Sequence, residues 1–502
     1  MNFSNFVDLA ANNVPIKPAL GDTEDLLTHS ALKSKTNAMA NALETLGVSP
    51  GERIAIHLQN RVEFLIAHIG AMKRGAIPVP VNTHFTTDQI SYVLSTSDIS
   101  VLITDGQHPT ISSNVETTIT VDSNSNTSFY TLLEDESTDY SVHPRRNEEI
   151  AEILYTSGTT GRPKGVRHTH GNLQANATGI INYLGLSRND VGLTVCHCFH
   201  VVGLNVTTTP LIVAQAENRL LPHWDPKLML ETIEKHGVTY AFFTPSMIID
   251  LLECQDTDHY DLTSLQTVGV GGAPMPKDRL DDAEALLGCP VLEGYGMTET
   301  TPLAAFNRPD PMLRKPGSVG PPAREVVDIR IEDPQTGEAV DTGERGELLW
   351  RGDTVTPGYE QQQNDSDAFV ERDGHQWLRS GDIGWLDAED HLFIVDRLED
   401  MFTTGCADVY PREIEDTLYE IDQITGAAVI DTRDDLRGAV VTAVITQSSD
   451  DLTADQILRI CDNRLASHEV PQRIEFVNEI PTTATGKVDR VALRERFGTP
   501  SP

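Results

Sequence analysis

From about residue 30 to residue 300 the apolar positions alternate between helical and strand spacing, and that alternation leaves few folds open. Ala31–Leu46 carries apolar residues at helical spacing and is closed by Gly47. Arg53–Leu58 reads as a short strand, Val62–Arg74 as a helix, and Ala76–Pro80 as a continuous apolar run. Further strands fall at Ile153–Thr156, Val238–Phe243 and Thr267–Val270. Strands separated by helices cannot pair as hairpins, so they form parallel sheets whose two faces the helices cover. The class is therefore α/β. At 502 residues the chain also exceeds a single core.

The pattern changes after about residue 315. Val326–Glu332, Gly346–Arg351 and His391–Val395 are short β-rich segments separated by turn signals at Thr336-Gly337 and Asp373-Gly374. From Met401 the pattern is α+β: helices at Pro411–Ile421 and Ala454–Ala466, strands around Val429 and at Val440–Ile445. The expected organisation is a large domain over residues 1–395, with αβ-layered parallel sheets and a β-rich subdomain at 316–395. A hinge at 396–400 then joins it to a small α+β domain at 401–502.

Charge narrows the partners. With 75 Asp and Glu against 38 Lys and Arg, the formal net charge is −37. Such a surface repels nucleic-acid phosphates and anionic lipid heads. Only ten of the basic residues are Lys, and the acidity is spread along the chain, as suits a salt-rich cytoplasm such as that of a halophilic archaeon. The N-terminal segment has neither the basic start nor the apolar stretch of a secretory signal, and no run approaches the ~18 apolar residues of a membrane span. Cys196 and Cys198 have neither a CxxC nor a zinc spacing, and Cys254, Cys289, Cys406 and Cys461 are scattered. Unpaired thiols in a cytoplasmic protein are expected.

The segment Tyr155-Thr-Ser-Gly-Thr-Thr-Gly-Arg-Pro-Lys-Gly165 follows a strand. Its glycines let backbone N–H groups turn inward, its hydroxyls donate, and Lys164 adds a charge, a combination suited to a polyphosphate. It is not a Walker A loop, because Lys164 is followed by Gly165 rather than by Ser or Thr.

This loop resembles the phosphate loop of the adenylate-forming superfamily, which includes acyl-CoA and aryl-CoA ligases, luciferases and peptide-synthetase adenylation domains. Four further segments resemble that family's motifs in the same order. They are Gly271-Gly-Ala-Pro274, Gly294-Tyr-Gly-Met-Thr-Glu-Thr300, Ser380-Gly-Asp-Ile383, and Asp396-Arg397 with Pro411-Arg-Glu-Ile-Glu415 and Thr485-Gly-Lys487. The resemblance spans nearly the whole chain. It implies that a carboxylic acid and ATP form acyl-AMP and pyrophosphate, after which the thiol of coenzyme A takes the acyl group.

Two anions meet in that reaction, so neutralising charge is its main task. The resemblance gives Lys487 the charge between carboxylate and α-phosphate. Glu299 becomes the Mg²⁺ ligand, helped by Thr159, since a hard cation prefers oxygen. Thr156, Ser157, Gly158, Thr159, Thr160 and Lys164 would hold the phosphates. Gly272, Ala273, Glu293, Gly294, Tyr295 and Thr298 would surround adenine and phosphate, with Tyr295 stacked on the base. Asp382 would accept the ribose hydroxyls and Arg397 would hold ribose or phosphate. His200, Val201, Gly203 and Gly296 would line the acyl site. Gly296, lacking a side chain, is expected to leave room for a medium or long fatty acid or an aromatic acid. The segment Cys198-Phe-His-Val-Val202 offers no acid to pair with a substrate ammonium, which disfavours amino acids.

Two departures stand out. The hinge reads Asp396-Arg-Leu-Glu-Asp400, with Glu399 at the pivot. The following segment reads Gly405-Cys-Ala-Asp-Val-Tyr-Pro411, with Cys406 where relatives place Gly and Asp408 where they place Asn. In relatives this stretch lines the pantetheine tunnel, so an acceptor other than CoA, or a nucleotide-binding paralogue with little catalysis, stands as the alternative.

Overall fold

A computed structural model of the protein describes all residues except 23–25, 107–114, 122–127, 157–161, 256, 274, 276, 316, 362–364, 405–406, 435–437, 450–451, 483–487 and 499–502. Internal contacts divide the chain into two compact units: Met1–Ile329 with Trp350–Leu378, and Arg330–Leu349 with Arg379–Pro502.

The first unit contains an eight-stranded sheet. Its strand order is Leu303–Phe306, Val291–Gly296, Thr267–Gly271, Tyr240–Phe243, Val191–Thr194, Glu217–Leu220, Pro18–Gly21 and Leu26–Thr28. The six inner strands are parallel and each outermost strand is antiparallel to its neighbour. The inner strands are apolar runs because both faces are covered. Val268, Val270, Phe243 and Val291 pack with Ile233, Ile248, Leu251 and Leu287 from helices on the flanks. A second sheet is wholly parallel, in the order Ile77–Pro80, Arg53–His57, Ile99–Thr104 and Thr117–Thr120. The helices His29–Thr45 and Val62–Arg74 follow the expected apolar spacing closely.

Two local structures are not apparent in the sequence. The strand Ile150–Thr156 turns back antiparallel into Lys164–Thr169, with Thr156 opposite Lys164. The second strand was not apparent because its buried His168 breaks the apolar alternation. The stretch Val202–Thr208 forms a π-helical turn. Thr207 and Thr208 both donate to the Gly203 carbonyl, at 2.9 and 2.7 Å. Gly203 itself is pressed against the chain: a Cβ there would lie 2.3 Å from the Cys196 and His197 carbonyl oxygens.

In the second unit Ile424–Asp434 and Gly438–Gln447 pair antiparallel, and Arg473–Phe476 adds parallel to the latter. Ile414 and Leu418 of the helix Pro411–Tyr419, and Ile457 and Cys461 of Ala454–Arg464, cover Val429, Val441 and Ile445. Residues 330–349 and 379–395, which composition grouped with the large domain, pack in this unit. The ties are specific. Arg412 N–H donates to Asp396 Oδ2 at 2.9 Å, Arg412 Nη1 donates to the Ile394 carbonyl at 3.1 Å, and Arg345 grips both oxygens of Glu413 at 2.9 and 2.6 Å. The Arg345 guanidinium also lies over the Tyr410 ring, 5.1 Å from its centroid.

Candidate active site

Parallel sheets present loops at the carboxyl ends of their strands, where ligands of α/β proteins bind. Gly271 ends one such strand and pairs with Gly294 of the next, so Gly272 and Ala273, both exposed, stand beside Gly294 and Tyr295. The Tyr295 ring lies 5.9 Å from that of Trp350 at 31°, a packing that fixes its plane. Glu293 is buried in the same strand, where its carbonyl takes the Asn307 N–H at 3.0 Å.

The backbone at Gly296 is closely approached. A Cβ built there would lie 1.7 Å from the Pro302 carbonyl oxygen, so close backbone approach requires glycine, and a larger residue would displace Pro302 before it filled any tunnel.

The next turn, Thr298–Thr300, carries Glu299. The Thr356 N–H donates to the Glu299 carbonyl at 2.8 Å, and the Tyr359 hydroxyl donates to Glu299 Oε1 at 2.8 Å. Among the described residues nothing bonds to Oε2. One oxygen is thus oriented and the other left available, which fits a carboxylate that serves a hard cation such as Mg²⁺. Lys164 Nζ lies 6.0 Å from the Tyr359 ring centroid, and Glu360 N–H donates to the Gly165 carbonyl at 2.7 Å. The ring therefore bridges the mouth of the hairpin and the acidic turn. Thr156 sits at the same mouth, its hydroxyl 3.5 Å from the Lys164 carbonyl. Tyr359 and Trp350 escaped the sequence reading, because no spacing links residues so far apart; the Gly358-Tyr359 pair was the one local cue.

His200 and Val201 lie beyond the end of the Val191–Thr194 strand. His200 is exposed, with Nδ1 accepting the Val202 N–H at 3.3 Å, and Val201 is buried. The neighbouring His197 stacks on Phe199 at 4.6 Å and meets His84 edge-on at 5.1 Å. Burial, reinforced by His84, pushes the His197 imidazole down to about 4. Burial pushes the Cys196 and Cys198 thiols up to about 12, so neither is a nucleophile at neutral pH.

In the second unit Asp382 and Arg397 face each other across paired strands, with Nε 2.9 Å from Oδ1. Arg397 Nη1 also lies 3.7 Å from Glu399 Oε1. Ser157, Gly158, Thr159, Thr160, Gly405, Cys406 and Lys487 lie outside the described residues.

The sequence profile of the AMP-binding enzyme family matches residues 7–360, and that of the AMP-binding enzyme C-terminal domain matches 413–487. The chain belongs to the AMP-binding enzymes. A feruloyl-CoA synthase from Amycolatopsis is 32% identical to this AMP-binding enzyme over 477 residues, 94% of either chain. A 2-succinylbenzoate–CoA ligase from Bacillus cereus is 31% identical over 482 residues, 96% of either chain. Among solved structures, an anthranilate CoA ligase in complex with anthranoyl-AMP superposes with a TM-score of 0.91 at 27% identity, over 99% of this chain and 97% of the other. ATP-bound MatB from Rhodopseudomonas palustris also gives 0.91 at 27% identity, over 99% of both chains. Adenylate-forming CoA ligases use ATP, Mg²⁺ and CoA. Among the described residues no helix is long and apolar enough to cross a membrane, and Cys196, Cys198, Cys254, Cys289 and Cys461 are free thiols.

Proposed function

We propose that this AMP-binding enzyme joins an aromatic carboxylic acid to CoA through an acyl-adenylate. A carboxylate oxygen attacks the α-phosphorus of ATP, and pyrophosphate leaves with the bonding electrons. The CoA thiolate then attacks the acyl carbon, and AMP leaves. The observation that carries this reading is the line Lys164–Tyr359–Glu299, which joins the phosphate loop to an oriented, half-available carboxylate. Glu299, with Thr159, would hold Mg²⁺, which supplies charge neutralisation on the phosphates when bound. Lys164 and the hydroxyls of Thr156, Ser157 and Thr160 would hold phosphate oxygens, and Lys487 would steady the charge between acid and α-phosphate. Tyr295 would stack on adenine, and Asp382 with Arg397 would hold the ribose.

The aromatic class rests on the stacked His197 and Phe199 beside His200, and on the feruloyl and succinylbenzoyl relatives. Residues 396–400, with Glu399 central, would be the pivot between the two half-reactions, separating residues 1–395 from 401–502. The acidic, Lys-poor composition supports a salt-rich cytoplasm. A second reading, an adenylate donor to a different acceptor, is favoured by Cys406 in the tunnel segment.

The test is pyrophosphate release with ferulic, 2-succinylbenzoic, anthranilic and decanoic acids, with and without CoA. Release with an aromatic acid and acyl-CoA formation support the proposal. Preference for decanoic acid overturns the aromatic class, adenylate without thioester favours the second reading, and release with none of the acids overturns both.

A further inference from the structure

Beneath the phosphate hairpin lies a polar cluster that none of these roles uses. Glu152, on the first hairpin strand, is wholly buried. Its Oε2 is 2.9 Å from His68 Nε2. Its Oε1 accepts from Asn205 Nδ2 at 2.7 Å and lies 2.9 Å from His168 Nδ1. The Asn205 amide is oriented by its other end, where Oδ1 accepts the Thr209 hydroxyl at 3.3 Å. A buried carboxylate is expensive unless paired and hydrogen-bonded. Burial alone would raise its pKa, but the hydrogen bonds from His168 and His68 hold it below the usual carboxylate range.

The second nitrogen of His168 points elsewhere. Its Nε2 lies 2.7 Å from the Thr298 carbonyl oxygen. A carbonyl can only accept, so Nε2 carries a proton and donates. Thr298 opens the turn that bears Glu299, and the far side of that turn is held by Thr356 and Tyr359. Among the described residues, three partners from outside the turn therefore hold it: two from residues 356–359 and one, His168, from beneath.

We propose that His168, fixed in orientation by Glu152, is a positioning residue for Glu299: its hydrogen bond to the Thr298 carbonyl sets the turn that presents the Glu299 carboxylate to the Mg²⁺ of Mg·ATP. The inference rests on the reading of Glu299 as the metal carboxylate. Asn205 extends it, since it belongs to the π-helical turn that follows His200. One buried carboxylate thus braces segments on both the acid side and the metal side of the site. Partners that orient metal ligands are worth roughly 10–100-fold in metal affinity.

The test uses the full chain and reads binding rather than turnover. ATP affinity is measured calorimetrically across a Mg²⁺ series, beside the thermal midpoint of the unliganded protein. Four variants are compared: His168→Leu, His168→Gln, His168→Asn and Glu299→Gln. The Gln amide reaches the position of Nε2 and can keep the Thr298 bond; the shorter Asn reaches only the position of Nδ1 and cannot. His168→Leu and His168→Asn should weaken Mg²⁺-dependent ATP binding by roughly tenfold, with Mg²⁺-free binding little changed, while His168→Gln stays within about threefold of the parent. If His168→Leu does not fold, the contrast between Gln and Asn carries the test.

A merely structural role would lower the thermal midpoint in all three His168 variants and leave the Mg²⁺ dependence alone, and that result overturns the proposal. Equal impairment of the Gln and Asn variants overturns it too. Glu299→Gln separates the two claims. If it weakens Mg²⁺-dependent binding while the His168 variants do not, the positioning role alone fails; if it has no effect, the metal assignment and this proposal fall together.

Discussion

The Tyr359 hydroxyl donates to Glu299 Oε1 at 2.8 Å, while the same ring has Lys164 Nζ 6.0 Å from its centroid. One aromatic side chain thus lies between a cation at the mouth of the hairpin and an anion of the acidic turn. A hydrogen bond to a charged group contributes about 1.5–3 kcal/mol. Tyr359→Phe keeps the ring and removes the donor, so kcat/KM for adenylation should fall roughly tenfold with KM for the acid unchanged. Steady-state kinetics with ATP and acid each varied checks this, and a parental kcat/KM would mean Glu299 needs no help from Tyr359.

Gly296 supplies a stability prediction. Because a Cβ there would lie 1.7 Å from the Pro302 oxygen, Gly296→Ala must displace backbone. Overpacking of this kind costs roughly 1–3 kcal/mol or more. Urea unfolding should report that loss, and the range of acids accepted should stay the same. A stable variant with a preference for shorter acids would show that the space at Gly296 belongs to the acyl site and not to backbone packing.

His170 sets an acid limit. It is buried, and its Nδ1 accepts the Phe3 N–H at 3.1 Å, so this nitrogen must be unprotonated. Burial, together with nearby Arg145 and the N-terminal charge, pushes its pKa down from 6.5 to about 4. The unfolded chain therefore binds a proton here near pH 6.5 while the folded chain does not until about pH 4. The contribution is complete above the higher value and is lost as pH falls through the window, to an extent on the order of 3 kcal/mol. Thermal midpoints between pH 7 and pH 4 should fall for the parent and fall less for His170→Asn, which offers a non-titrating acceptor. Parallel curves would show that other groups set the limit.

Lys487 should matter to the first half-reaction. Removing a group that stabilises transition-state charge costs on the order of 10²–10³-fold in rate. Lys487→Ala should slow single-turnover formation of acyl-AMP by that factor; a parental rate would remove Lys487 from the mechanism.

Net charge supplies a last expectation. With −37 on the chain, screening should relieve self-repulsion. The thermal midpoint and activity should both rise between ~0.1 M and ~2 M KCl. Full stability in dilute buffer would argue for an ordinary acidic enzyme.

What the sequence made legible follows from what carries a period. Val62–Arg74 has the ends its apolar spacing implies, and Thr267–Gly271 and Tyr240–Phe243 stand out because central parallel strands are apolar on both faces. Lys164–Thr169 was hidden because its inward residue at 168 is a histidine satisfied by Glu152 and Thr298. The π-helical turn was hidden because its cause, two threonines bonding back to Gly203, reads locally as β-prone sequence. In the site, Lys164 and Glu299 belong to recognisable motifs, whereas Tyr359, which bridges them, contributes through a contact across 60 residues that no local pattern records.

The grip of Arg345 on Glu413 bears on the proposed pivot. Together with the bonds from Arg412 to Ile394 and Asp396, it ties the two sides of residues 396–400 to one another. A swing about Glu399 that carries the Pro411–Tyr419 helix away from residues 394–396 must release these ties together, so the pivot would behave as a latch with a threshold and not as a free joint. Arg345 and Glu413 are substantially exposed, so dissolved ions weaken that part of the latch. Ionic strength would then act as a setting on how readily the enzyme passes from one half-reaction to the next, and the chain would hesitate between them in dilute buffer.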